Sequence, residues 1–211
     1  MNQRKNRERE TRDTIAWGNA LADFPEHAQL IAQLISEWNI VEFHFANLLS
    51  LMLSAPAPIV SPMIFSIVNN RGRLDVIDAA ILRLTSDDEE KGIIAGLLKE
   101  ARAVLAIRNE YTHAIYVAHT TPKKTKLETV SMKNYHAGKP SMQAVSLGTL
   151  TKEVARVVQL AADIFAVFNA RRGLVISPTS PLLGASTPPE PDSVYVHRLP
   201  RPRKPPRSSA K

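Results

Sequence analysis

The stretch Arg-Asn-Glu-Tyr-Thr-His, residues 108–113, holds the residue types best suited to chemistry in this chain. An arginine is a planar, permanently charged donor that fits phosphate or carboxylate oxygens in pairs. Imidazole exchanges protons near neutral pH, so His113 is suited to act as general base or general acid. Asn109 stands four residues before His113, which puts both on one face of a helix, where the amide can orient the ring or hold an oxyanion. Together the three side chains suit cleavage of a phosphodiester by an adjacent hydroxyl. A base takes the 2′ proton of RNA, the freed oxygen attacks phosphorus, and the arginine stabilises the charge that develops. Tyr111, midway between Asn109 and His113, offers a ring on which a base could stack.

Such side chains need an element to position them, and the apolar pattern supplies one. Ile94, Leu97, Leu98, Ala101, Val104 and Leu105 recur at helical spacing, after a start signal in which Ser86 caps and Glu89 closes a capping box. Arg108 continues that stripe, so a charge falls where the core should go on. A buried guanidinium needs carboxylates or phosphates, because bare desolvation is too costly. One reading pairs it with Glu37 or Glu42 of the first helix and leaves His113 as a favourable cation at a helix C-terminus. The other gives it a ligand phosphate. On an ideal helix Arg108 and His113 point roughly 140° apart. They serve one ligand only if the helix ends or distorts near Thr112, or if a second subunit brings another copy alongside.

The other helices follow from the same periodicity. The first starts near Asp23 or Phe24, where Asp-Phe-Pro-Glu offers an Asp cap, an early proline and a Glu, and its stripe runs from Leu30 through Trp38, Val41 and Phe45 to Met52. A second opens with a Ser61 cap and Pro62 and runs to Leu84, with Asn69, Asn70, Arg71 and Gly72 marking a kink. A last helix from Thr149 carries Val154 to Phe168 and stops at Arg171, Arg172 and Gly173. Between residues 116 and 146 the helical period gives way to short alternating runs broken by Thr-Pro-Lys-Lys and His-Ala-Gly-Lys-Pro, which predicts a small β-hairpin insertion. The expected fold class is therefore all-α: a bundle of about four helices with a β-hairpin inserted before the last one. Its domain limits are a basic N-terminal arm at 1–20, the bundle at 21–173 and a disordered proline-rich basic tail at 174–211. Ile15 and Trp17 of the arm are apolar enough to pack back on the body.

Charge and composition narrow the function classes. The 211 residues carry a net charge of +7, but residues 1–13 hold five basic and three acidic side chains, and residues 174–211 hold six basic and two acidic ones. The body between is close to neutral, so the basicity belongs to the ends, where it can add weak, salt-sensitive attraction to phosphates. Nine of the 15 prolines also lie in 174–211. There is no cysteine, which removes disulfides, thiolate nucleophiles and thiolate metal sites. The first residues lack an apolar secretory segment, and Glu37, Asn39, Glu42 and His44 interrupt the most apolar stretch. A soluble cytoplasmic protein, not a membrane protein, is the expectation. Glu42 and His44 fall on different faces and do not make a helical metal pair, and His27, His119, His136 and His197 read as surface histidines. There is no Gly-rich phosphate loop and no nucleophile elbow.

Arg108, Asn109, three intervening residues and His113 resemble the arginine, polar residue, x3, histidine signature of HEPN domains, the higher eukaryotes and prokaryotes nucleotide-binding superfamily. The setting resembles theirs too: a helical bundle over residues 21–172 with the motif late in a core helix, and a long first helix carrying Trp38 and Glu42 as supporting residues. The resemblance implies metal-independent and cofactor-free cleavage of RNA by 2′-hydroxyl attack, at a site formed across a homodimer with Arg108, Asn109 and His113 as the catalytic group. Substrate contacts then fall to Tyr111 and to Arg71 and Arg73 near the expected kink, which otherwise are a solvated face. It further implies a growth-arresting toxin or defence effector, with an antitoxin or other regulatory protein as partner. The competing class is a non-catalytic helical module for dimerisation, RNA binding or nucleotide binding.

Overall fold

The computed structural model describes residues 14–137 and 141–173. The expected disordered tail at 174–211 and the arm before Thr14 lie outside them, as does His197. In chain order the elements are β1 (Thr14–Trp17), a 3-10 turn (Ala20–Asp23), α1 (Pro25–Met52), α2 (Ala57–Phe65), α3 (Asn70–Leu84), α4 (Asp88–Thr112), β2 (Ala114–Thr120), β3 (Thr125–Ser131), α5 (Met132–His136), β4 (Met142–Ala144) and α6 (Leu147–Arg171).

This corrects the expected all-α bundle with a two-stranded hairpin. Among the described residues, six helices accompany a four-stranded antiparallel sheet in the order β1-β2-β3-β4. The β2–β3 hairpin is where the alternating runs put it, with Ala114 opposite Ser131 and Thr120 opposite Thr125. The arm corrects the picture on one side: Thr14 to Trp17 pair with Thr120 to Val117, so its end is an edge strand instead of a free lead-in. Met142 to Ala144 add the opposite edge on β3. Ladder hydrogen bonds satisfy backbone groups that an unpaired hairpin would leave exposed.

The main core comes from α1, α3, α4 and α6, with Leu34, Trp38, Phe45, Leu74, Ile77, Ile81, Leu98 and Ile164 all at most 1% exposed. The predicted stripes supply these residues. A second cluster of Ala20, Ile31, Ala118, Leu127, Val145 and Leu150 seats the sheet on the start of α1 and α6. Tyr111 packs against both clusters, so the end of α4 lies where bundle and sheet meet.

Element ends differ locally from the predicted ones, each for a stated reason. The single second helix is two helices: Asn69 is extended and its side chain accepts from the Gly72 N–H at 2.5 Å, which starts α3 afresh. Pro62, read as a first-turn proline, lies inside α2, which begins after Pro56. Asp87, not Ser86, caps α4 by accepting from the Glu90 N–H at 2.7 Å. Ser146 caps α6 through the Thr149 N–H at 3.4 Å, three residues before the expected start. Asp23 caps nothing at α1, where Phe24 is the flanking residue and Pro25 fills the first position. Gly173 closes α6 with φ +69, as a glycine after basic residues predicts. Among the described residues no helix is long and apolar enough to cross a membrane.

Candidate functional site at the end of α4

α4 ends inside the motif. The Thr112 hydroxyl donates to the Arg108 carbonyl at 2.8 Å and the His113 N–H to the Asn109 carbonyl at 3.1 Å. His113 itself has left helical geometry, at φ −105 and ψ 8, and β2 begins at the next residue. The helix therefore ends at Thr112, one of the two conditions set for convergence, but this ending alone does not bring Arg108 and His113 into one cavity.

The arginine is half-buried at this joint. One Nη1 proton goes to Asn109 Oδ1 at 3.1 Å, while Nε is buried without a hydrogen-bond partner. Arg108 forms no ion pair among the described residues. Glu42, one of the two carboxylates that could have absorbed its charge, is 4% exposed and accepts from Arg73 Nη1 at 3.1 and 3.2 Å. A buried guanidinium edge with no acceptor is costly, so this geometry is suited to an anionic ligand.

His113 is exposed and lines a cavity of about 280 Å³ with Asn109 and Glu110 from α4, Thr129 and Ser131 from β3, Asn134 from α5, and Ser141 and Gln143 at the β4 edge. Arg108 does not line it. On the other side of the same helical turn, Asn109 borders a cavity of about 330 Å³ with Arg71, Arg102, Leu105 and Ala106. Asn109 thus touches Arg108 directly, lines the first cavity beside His113 and also borders the second. Within one protomer Arg108 and His113 do not share a cavity.

The remaining expected site residues separate. Arg71 is 86% exposed along its side chain, lies 4.0 Å from an Asp75 carboxylate oxygen and borders the second cavity. Arg73 does not reach it. Its guanidinium is held by Glu42, by the Ile67 carbonyl at 2.7 Å from Nε, and over the Phe65 ring at 5.3 Å. Tyr111 is half-buried at the junction of the two cores, and burial, then Glu110 and Glu153, raises its phenol pKa. Its carbonyl accepts from the Tyr116 hydroxyl at 2.5 Å, and burial pushes that phenol up strongly. Tyr111 positions the joint and is not placed to stack a base. Trp38 is fully buried with its indole N–H unpartnered, a core residue beneath the site.

Sequence reasoning missed Glu110, Asn134, Gln143 and Arg102. Glu110 and Arg102 lay on the motif helix and could have been found by helical spacing, Glu110 three residues before His113 and Arg102 seven before Asn109. Asn134, on the short helix α5 that follows β3, and Gln143, on the three-residue strand β4, reach the cavity only through the way α5 and the pairing of β4 on β3 are arranged, which no local periodicity announces. Two histidines read as surface groups have partners: His27 Nε2 lies 3.1 Å from the Val145 carbonyl, and His119 Nδ1 lies 3.2 Å from Glu128 Oε2. Burial lowers the pKa of His44, which lies between the rings of Phe43 and Phe165. Among the described residues no three His, Asp or Glu side chains gather as a metal ion requires.

No family model matches the chain, and no curated protein or solved structure matches it either.

Proposed function

We propose that this chain is a metal-independent endoribonuclease of the HEPN type that works as a homodimer in the cytoplasm. The observation that carries this reading is the half-buried Arg108, without a carboxylate partner and with an orphaned Nε, tied by Asn109 to a cavity that His113 lines. Arg108 does not line that cavity in its own protomer, which is the reason for a second copy: Arg108 of one protomer then serves the phosphate that His113 of the other works on. In the reaction the 2′ oxygen forms a bond to phosphorus as the bond from phosphorus to the 5′ oxygen breaks. His113 takes the 2′ proton, a solvent water protonates the departing 5′ oxygen, and the imidazolium then returns its proton to solvent. Arg108 stabilises the extra charge on the phosphoryl oxygens, and Arg71 holds a neighbouring phosphate. A toxin or defence role, held in check by an antitoxin or other regulatory protein, accords with such an activity.

The test is to incubate the full chain with single-stranded RNA in excess chelator and to identify the product ends. The expected products carry a 2′,3′-cyclic phosphate, and Arg108→Ala and His113→Ala each lower the rate by about 10²–10⁴-fold while melting as the parent does. Equal cleavage by all three proteins, or none by any, contradicts the assignment. RNA binding without cleavage points instead to a non-catalytic nucleic-acid module.

A further inference from the structure

The cavity beside His113 has a chemistry of its own. Its described lining residues include one carboxylate, Glu110, and no lysine or arginine, together with the amides of Asn134 and Gln143 and the hydroxyls of Ser131 and Ser141. Asn134 Nδ2 donates to Ser141 Oγ at 3.2 Å, which ties α5 to the start of the β4 edge and holds that wall in place. A phosphate placed here would meet the Glu110 charge, so the phosphate belongs outside this cavity, where the other protomer's Arg108 is proposed to meet it, and a neutral group rich in donors belongs inside. At about 280 Å³ the space is below the usual range for drug-sized ligands and suits one unpaired ring system.

We propose that this cavity is a nucleobase subsite selective for guanine, in which the Glu110 carboxylate accepts the base's N1–H and N2–H together. The inference rests on the nuclease reading for its substrate class and extends it to a base preference. A carboxylate is acceptor-only, so it discriminates by counting adjacent donors. Guanine alone presents two neighbouring N–H groups on its Watson–Crick edge. Adenine and cytosine offer one amine beside an acceptor ring nitrogen, and uracil offers one N–H between two carbonyls. Single-stranded RNA exposes these edges for such reading. The Asn134 and Gln143 amides, which can donate, then face the guanine O6 and N7 acceptors. A polar cavity next to the proton-transfer group, on the opposite side of Asn109 from Arg71 and Arg102, thereby acquires a role that the motif alone does not give it.

The experiment measures binding of the 3′-monophosphates of guanosine, adenosine, cytidine and uridine to the full chain by calorimetry, with Glu110→Gln and Asn134→Ala beside the parent. The expected result is a guanosine nucleotide bound about tenfold or more tightly than the other three. That preference is lost in Glu110→Gln and weakened in Asn134→Ala, with melting temperatures unchanged. Equal affinity for all four, no binding of any, or a preference that survives Glu110→Gln overturns the proposal. Binding needs no turnover, so the two readings fail separately. Guanine selectivity without RNA cleavage removes the nuclease and keeps the subsite, whereas cleavage indifferent to base identity does the reverse.

Discussion

Arg108 and Arg73 are both arginines half or more removed from water, and the structure uses them in opposite ways. Arg73 is saturated: Glu42 accepts from it, the Ile67 carbonyl takes its Nε, and Phe65 lies beneath its plane. Arg108 keeps an unpartnered edge. Removing Arg73 leaves the Glu42 carboxylate buried without its cation, and such a loss costs about 3–5 kcal/mol. We therefore expect Arg73→Ala to lower the unfolding free energy in urea by that order, and Arg108→Ala to change it little while abolishing activity. A stability loss at Arg108 as large as at Arg73 would make it a structural residue. Arg108 was legible as an anomaly because it interrupts an apolar stripe. The choice of partner was not legible: the spacing offered Glu42 to Arg108, but it accepts from Arg73, just past the break at Ser66–Asn69.

That break belongs to the scale of elements. Asn69 and Gly72 were legible as a weak point in a helix, but not as a complete stop and restart. The difference is the short contact between the Asn69 side chain and the Gly72 N–H, which a Cβ on Gly72 would crowd at 3.0 Å from Asn69 Oδ1 and 3.2 Å from Ile67 Cγ2. Asn69→Ala should cost about 1 kcal/mol, the ordinary loss of an N-cap. Gly72→Ala, which in an open helix position would stabilise, should fail to raise the melting temperature. A gain there would mean that the cap tolerates the added methyl. The sheet shows the same limit. The hairpin is local and its alternation gave it away, whereas β1 pairs with a strand about a hundred residues later and β4 is three residues long. Neither carries enough periodicity to be read alone, and β4 bears directly on the site, since β3, α5 and β4 wall the cavity beside His113.

For the molecule as a whole, ion pairs across elements set the acid limit of stability. The hydrogen bond and charge of Arg156 hold the Glu100 carboxyl below its usual value of 4.5, linking α4 to α6. Burial pushes Glu128 up, but Lys126 and His119 outweigh it and leave that carboxyl below 4.5 as well. A depressed folded-state pKa means stability that is present above the unfolded value and is lost as pH falls through the folded one. The melting temperature should be flat near neutrality and drop below about pH 4.5, with Glu100→Gln flattening part of that drop; the effect is modest because both side chains of that pair are more than a third exposed. An unchanged acid limb in Glu100→Gln would remove the pair from the account. Helix content and core stripes were legible at this scale, but assembly was not, since nothing local says which copy of Arg108 meets which His113. The central claim, that a phosphate is served by Arg108 of one protomer and His113 of its partner, is tested by mixing inactive Arg108→Ala and His113→Ala chains, refolding them together and assaying RNA cleavage. Mixed dimers then contain one intact site, so activity should return to a substantial fraction of the parent level. Parent and mixture differing as completely as parent and single variants would contradict a shared site.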